Sequence, residues 1–309
     1  MNILVTCSST ITALNVIRSL AAIPDVSVFS CDIWDRSPAE MFVKKNSKIQ
    51  KATSETYVEC ILAICLENKI SLLISTNDAE LRKLNDARDI LSTNGITLQG
   101  PKKDSMSTCL DKLTTSYAFD NAGVRTPKIL HGISDSCVIR SRFAGLKKYC
   151  QIVSTTTDRD YFDKKLSEDD DMMMTSFISG TEFTIDTFAT EDLKTVYVVP
   201  RERTVVNRGM VQIGRTVHDE EIISECRKIV LSLELIGMCC IQCIKAVDGK
   251  NYYFEVNPRP GSGMDLSIAA GVDMPRCLVM EKMGLEIPFY DRFSNMSMMR
   301  TSDGFYYET

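Results

Sequence analysis

The chain has 309 residues, 44% hydrophobic and 25% charged, more than one compact core ordinarily holds, so two or three subdomains are expected. A formal net charge of −5 at pH 7 argues against the broad basic face that nucleic acid requires, and no run approaches the ~18 apolar residues needed to span a bilayer. The first residues pass directly into Ile3-Leu4-Val5, a buried-strand pattern without the basic start and cleavage site of a signal peptide, and point to a cytoplasmic protein.

Residues 3–7 read as a strand, residues 12–22 as a helix with Leu14, Ile17 and Ala21 on one face, and residues 26–32 as a second strand. Val58, Ile61, Leu62 and Cys65 mark another helix, residues 70–75 another strand, and Leu81, Leu84 and Leu91 a helix stopped by Gly95. This alternation predicts a parallel α/β sheet over the first ~100 residues. The turn after the first strand, Cys7-Ser8-Ser9-Thr10, lacks the G-x-G-x-x-G of a dinucleotide site, which argues against NAD. The pattern changes at Pro101: Asp104 or Ser105 caps a helix running through Lys112 to Gly123, so a boundary is expected near residue 104. Strands at 137–142, 149–155, 172–178, 182–190 and 195–202 predict mainly antiparallel structure, and Glu168-Asp169-Asp170-Asp171 between them reads as a solvated turn. Residues 219–235 form a helix with Ile222, Cys226, Ile229 and Leu233 in phase.

Twelve cysteines fall inside these elements rather than in a short loop-rich scaffold, so they read as reduced, buried apolar residues. The cluster Cys239-Cys240-x-x-Cys243 lacks a second cluster to complete four zinc ligands, and alternation turns Cys239 and Cys243 away from Gln242. His131 and His218 stand alone, which argues against a histidine-based centre.

The most informative segment runs from Cys240 to Arg259. Asp248-Gly249 between two β-prone runs signals a hairpin, and a two-residue loop pairs Val247 with Lys250. Gln242 then faces Glu255, with Cβ atoms about 5 Å apart, and Asn257 shares their face. One carboxylate and two amide oxygens suit a hard divalent ion such as Mg²⁺, which shares few protein ligands with substrate phosphates. A solvated polar hairpin would show the same spacing. The adjoining segment favours a site: Pro258-Arg259-Pro260-Gly261-Ser262-Gly263 is a glycine-containing loop whose backbone can approach a phosphate, with a guanidinium beside it.

Glu255-Val256-Asn257-Pro258-Arg259 resembles the metal-binding signature of ATP-grasp enzymes, and Gln242 resembles the glutamine at the first metal position in carbamoyl phosphate synthetase halves. Asp111-Lys112 leading to Ala122-Gly123-Val124-Arg125-Thr126-Pro127 is similar to an early helix of that family, and Ile178-Ser179-Gly180-Thr181-Glu182-Phe183-Thr184 to the segment with its ribose-binding glutamate. The resemblance implies an α/β chain with α+β character in its second half: a Rossmann-like pre-ATP-grasp domain (1–104), an ATP-grasp small lobe (105–176) and a C-terminal lobe with the metal hairpin (177–309). It also implies ATP with Mg²⁺ or Mn²⁺ held by Gln242, Glu255 and Asn257. Lys112 and Arg140 then reach the phosphates, Thr175, Ser176 and Ile178 flank adenine, and Glu182 accepts from ribose. Arg259, Ser262 and Gly263 stabilise an acylphosphate and the following oxyanion.

The glycine-rich lid of that family is represented by Ala144-Gly145-Leu146-Lys147-Lys148, with one glycine and two lysines. Arg201, Arg203, Arg208 and Arg215 line strands resembling the cleft wall, with Arg215 near a phosphate position. The implied activity is an ADP-forming ligase that joins a small carboxylate to an amine or ammonia. A noncatalytic nucleotide-binding protein and a small-carboxylate kinase are the alternatives. Loops near Ser9, Asp32 and Asp78 are where the acceptor would bind. No nucleic acid or membrane partner is expected, and assembly is left open, a homodimer included.

Overall fold

In the computed structural model, residues 1–132, 136–144, 149–153, 171–207 and 209–301 are described. Five parallel strands, β1 (Asn2–Thr6), β2 (Ser27–Asp32), β3 (Asn46–Lys48), β4 (Leu72–Ile74) and β5 (Thr97–Leu98), lie in the order β3-β2-β1-β4-β5. Helices α1 (Ile11–Ala21), α2 (Tyr57–Glu67), α3 (Asp78–Asp86) and α4 (Arg88–Thr93) connect them. Thr10 caps α1 by accepting from the Ala13 N–H, and Asn77 caps α3 through Ala79, so two helices begin just beyond the C-terminal ends of β1 and β4. The sheet order reverses between β2 and β4 around β1, which opens a crevice at those ends. The expected single helix through Leu81 and Leu91 is two, broken at Ala87.

The second half is antiparallel, as its alternation predicts. Strands β6 (Ile129–Leu130), β7 (Cys137–Ser141), β8 (Cys150–Val153) and β9 (Met172–Ser176) form a small sheet in the order β6-β9-β7-β8. A larger sheet contains β10 (Gly180–Ala189), β11 (Val196–Asn207), β12 (Met210–Thr216), β13 (Gly237–Ala246), β14 (Asn251–Asn257) and β15 (Ser297–Met299), in the order β14-β13-β10-β11-β12-β15. Helix α7 (Glu220–Ser232) buries Ile222, Cys226, Ile229 and Val230 against the face carrying Phe183, Ile185, Ile241, Cys243 and Tyr253. Strand β12 was not legible, because Gly214 and Arg215 interrupt its apolar run. The chain therefore mixes a parallel α/β unit with antiparallel sheets.

Two expectations need correction here. The helix expected through Lys112 is two helices, α5 (Lys103–Leu110) and α6 (Lys112–Asn121), because Asp111 takes an extended backbone and accepts from the Leu113 N–H. Arg142 pairs with the same carboxylate through Nε at 2.8 Å and Nη2 at 2.6 Å. The Asp248-Gly249 turn has three residues, not two: the Ala246 N–H donates to the Lys250 carbonyl, and Gly249 takes φ +84°. The glycine lid falls partly on residues 145–148, outside those described, as do Arg208 and most of the acidic run.

Candidate nucleotide and metal site

An odd loop shifts strand pairing by one residue and should turn one side chain of each pair to the other face. Near the tip, Lys245 faces Asn251 and Cys243 faces Tyr253. Continued unbroken, that register would set Glu255 opposite Ile241, on the buried face. A β-bulge at Phe254 inserts the missing residue, so Gln242 faces Glu255, Ile241 faces Val256 and Cys240 faces Asn257. The bulge leaves the Phe254 carbonyl out of the ladder, and Arg140 Nη2 donates to it at 3.1 Å. The Arg140 guanidinium also lies 5.5 Å from the Phe254 ring centroid. Strand β7 of the small sheet is thereby keyed to the register of the hairpin.

Strand parity gathers the polar groups. Thr184 pairs with Gln242 on one side and Arg201 on the other, so these three share a face. Lys112 Nζ lies 3.5 Å from Glu255 Oε1. With the Gln242 amide nitrogen toward Glu255 Oε2 at 3.2 Å, its oxygen accepts from Arg203 Nη1 at 3.0 Å. Arg203 also donates from Nη1 to Thr184 Oγ1 at 3.1 Å. Its Nε lies 3.2 Å from Glu182 Oε1, an ion pair without hydrogen-bond alignment. Burial raises the Glu182 pKa, the nearby Glu255 charge raises it further, and Arg203 opposes both. Arg140 is 7% exposed, and its Nε has no hydrogen-bond partner. Burial lowers its pKa, so this guanidinium sits where an incoming anion relieves the cost of its desolvation.

The loop after β14 is clamped from several sides. Arg259 reaches the crevice of the parallel sheet, donating from Nε and Nη2 to Asp78 at 2.7 Å each, and from Nη2 to Asn257 Oδ1 at 3.2 Å. Burial alone would lower the Arg259 pKa, but Asp78 more than offsets it and raises the value. The Ser262 carbonyl accepts from Asn15 Nδ2 at 3.1 Å and from Arg300 Nη2 at 3.2 Å. Beneath the loop, Arg201 pairs with Asp186 through Nε at 2.7 Å and Nη2 at 2.8 Å, and Ser267 Oγ donates to Asp186 at 2.6 Å. A Cβ on Gly263 would lie 2.1 Å from Arg201 Nη1, and one on Gly261 3.2 Å from Arg201 Nη2. Packing against a buried guanidinium therefore requires at least Gly263, a cause that no local sequence pattern supplies.

The remaining sequence-expected residues divide. Thr175 is buried and paired with Val138 and Ile129 on β9, Ser176 Oγ accepts from the Lys128 N–H at 3.0 Å, and Ile178 is half-buried just before β10. Arg215 does not join the group. It pairs across β11 with Glu202, which pairs with Phe183, so it sits on the face opposite Gln242, and its Nε and Nη2 donate to Glu202 Oε2 at 2.9 and 2.7 Å. Sequence reasoning gave Arg203 no specific role. Its signal was the spacing Arg201-x-Arg203, which puts both guanidiniums on one strand face. The Asp186–Arg201 pair had no sequence signal, because it depends on strand order.

Among the described residues no three His, Cys, Asp or Glu side chains gather as a metal centre. The candidate set here is one carboxylate and two amides. The twelve cysteines form no disulfide, nine of them are buried, and burial pushes the Cys239 and Cys243 thiols up, as packing groups behave. No helix of the described residues is long and apolar enough to cross a membrane.

No curated protein matches the chain. Its architecture is similar to N5-carboxyaminoimidazole synthetase from Staphylococcus aureus complexed with ADP, at 13% identity and TM-score 0.76, over 97% of this chain and 82% of that one. It is also similar to the biotin carboxylase domain of Hydrogenobacter thermophilus 2-oxoglutarate carboxylase in complex with MgADP, at 15% identity and TM-score 0.76, over 93% and 70%. A third similar structure is L-amino acid ligase from Bacillus licheniformis, at 16% identity and TM-score 0.70, over 90% and 73%. Residues 3–99 match the PylC-like N-terminal domain family, and residues 168–301 match the family described as ATP-grasp in the biosynthetic pathway with Ter operon. The chain thus carries an ATP-grasp domain behind a PylC-like N-terminal domain.

Proposed function

We propose that this protein is an ATP-dependent ligase that activates a small carboxylate as an acylphosphate for attack by an amine or ammonia, releasing ADP and phosphate. The observation that carries this reading is Gln242 facing Glu255 across the hairpin, with Asn257 two residues on and Lys112 Nζ 3.5 Å from Glu255. The oxygen donors Gln242, Glu255 and Asn257 would hold Mg²⁺ or Mn²⁺. When bound, the metal neutralises triphosphate charge. The residues fit that group, since the donor set is hard oxygen and the buried Arg140 Nε is unpartnered.

In this reading Lys112 exchanges its contact with Glu255 for a phosphate, and Arg140 supplies a second cation. Glu182 accepts from ribose hydroxyls once Arg203 yields, and the segment Thr175 to Ile178 borders adenine. Arg259 and the Ser262-Gly263 backbone, held by Asp78 and Arg201, present positive charge where the acyl oxygen becomes anionic. Relatives of the same fold, complexed with ADP or MgADP or named as an amino acid ligase, support ATP use and ligation.

The test is ADP release from MgATP with pooled carboxylates, with and without pooled amines. Release should require both pools, stop with a metal chelator and resume with added Mg²⁺ or Mn²⁺. Glu255→Ala should lower it by about 100-fold or more, and near-normal turnover in that variant would overturn the assignment. Release that needs carboxylate but no amine would identify a kinase instead.

A further inference from the structure

Where the parallel sheet hands over to the antiparallel one, between the end of β5 and the start of β13, lies a cavity of about 440 Å³. That volume is in the range of small-molecule sites. Gln99, 2% exposed, forms part of its wall. Gln99 Nε2 donates to the Met238 carbonyl at 2.8 Å, while its Oε1 has no partner. A buried acceptor left open in this way calls for a ligand that donates a hydrogen bond.

The other polar walls carry both signs. Arg88 directs its guanidinium at the carbonyls of Leu98 and Pro101 and at Asn85 Oδ1, so its described hydrogen bonds go to neutral groups. Lys282 pairs with Glu191, whose N–H donates to Glu281 Oε1 at 2.7 Å. A simple anion would meet the Glu191 and Glu281 carboxylates and leave Gln99 Oε1 unpaired. A simple cation would meet Arg88, Lys102 and Lys282. A molecule with an ammonium and a carboxylate on the same carbon satisfies both sets.

The wall is mechanically joined to the candidate site. Gly100, at φ +112°, packs so that a Cβ would lie 3.0 Å from the Pro258 carbonyl oxygen. Gly237, at φ +72°, opens β13, and a Cβ there would lie 3.1 Å from Gln99 Nε2 and 3.2 Å from the Gly100 nitrogen. Gln99 and Gly100 are thus wedged between the strand that carries Gln242 and the loop that carries Arg259. We propose that this cavity is an effector site for a small zwitterionic α-amino acid, acting on the Pro258–Gly263 loop through Gln99 and Gly100. Binding is independent of the ligase reading, whereas the effect on turnover rests on it.

The binding experiment follows thermal unfolding of the full chain, without nucleotide, against a mixture of the twenty standard amino acids and then each singly. A saturable rise in Tm is expected by mass action. It should disappear in Gln99→Leu and in Lys282→Gln and persist in Glu255→Ala. The Lys282 variant keeps the Gln99 to Met238 hydrogen bond, so it stands in if Gln99→Leu folds poorly. No rise with any amino acid, or a rise that survives both cavity variants, would overturn the proposal. In ADP release, the amino acid that binds should change kcat/KM by about 5-fold or more in the wild type and not in Lys282→Gln. Binding without that change would remove the regulatory half and leave the site, and absence of turnover would count against the ligase reading alone.

Discussion

The floor and the rim of the Pro258–Gly263 loop are held by the same chemistry in opposite settings. At the floor, Arg201 and Asp186 are 2% and 0% exposed, belong to adjacent strands of one sheet and leave no room above them for a Cβ. At the rim, Arg259 and Asp78 are 19% and 17% exposed and join the loop after β14 to the start of α3, far apart in the chain. A buried pair is costly to assemble and far costlier to break, while a rim pair tolerates loss because water replaces the missing partner. The floor therefore sets the shape of the loop, and the rim sets which neighbour the loop faces.

Breaking the floor should have the largest effect. Asp186→Ala leaves a buried guanidinium unpaired and should lower unfolding free energy by about 3–5 kcal/mol, measured by urea titration. Replacing both partners, Asp186→Leu with Arg201→Met, should recover part of that loss; a double variant as unstable as the single would show that the charge is not the issue. Gly263→Ala forces the same guanidinium aside and should cost about 1–3 kcal/mol.

At the rim, Asp78→Ala should cost about 2 kcal/mol, since hydrogen bonds to a charged group are lost where solvent can enter. It should also lower kcat/KM in ADP release more than Asp186→Leu with Arg201→Met does, if the rim aims Arg259. Equal effects would erase the distinction between floor and rim.

The smallest effect concerns a third carboxylate at the same crevice. Glu80 is 4% exposed and accepts from Thr6 Oγ1 and from Ser75 Oγ at 3.2 Å, and burial raises its pKa above 4.5. A carboxyl raised in the folded state contributes its full stability below the unfolded pKa, and that contribution is lost as pH rises through the folded value. Tm should therefore fall across the range above pH 4.5 with a component that Glu80→Gln removes. An unchanged pH slope in that variant would mean that Glu80 stays ionised.

The fold was legible where one physical rule acts alone. Apolar runs alternating with periodic helices require a parallel sheet, and β1, β2 and β4 appear where those runs lie. Boundaries failed where a side chain overrode the periodicity, as Asp111 does by capping α6. In the candidate site, the facing of Gln242 and Glu255 was readable from strand parity, but through two errors of register that cancel. The extra turn residue and the Phe254 bulge were each invisible, since neither glycine nor proline marks the bulge. Arg215 was misplaced because β12 went unseen, and without that strand its face could not be assigned. The Asp186–Arg201 and Asp78–Arg259 pairs depend on strand order and domain contact, which no local pattern encodes.

The bulge at Phe254 has a consequence for assembly of the hairpin as well as for its geometry. Were the strands to zip from the three-residue turn without pausing, the ladder would close with a full set of backbone bonds and Glu255 driven into the apolar layer. Such a product would offer Arg140 no free carbonyl, and the small sheet would be left with a buried guanidinium and nowhere to place it. The contact from Arg140 to the Phe254 carbonyl thus serves as a register check, in which one sheet docks only on the version of the other that faces Glu255 toward Gln242.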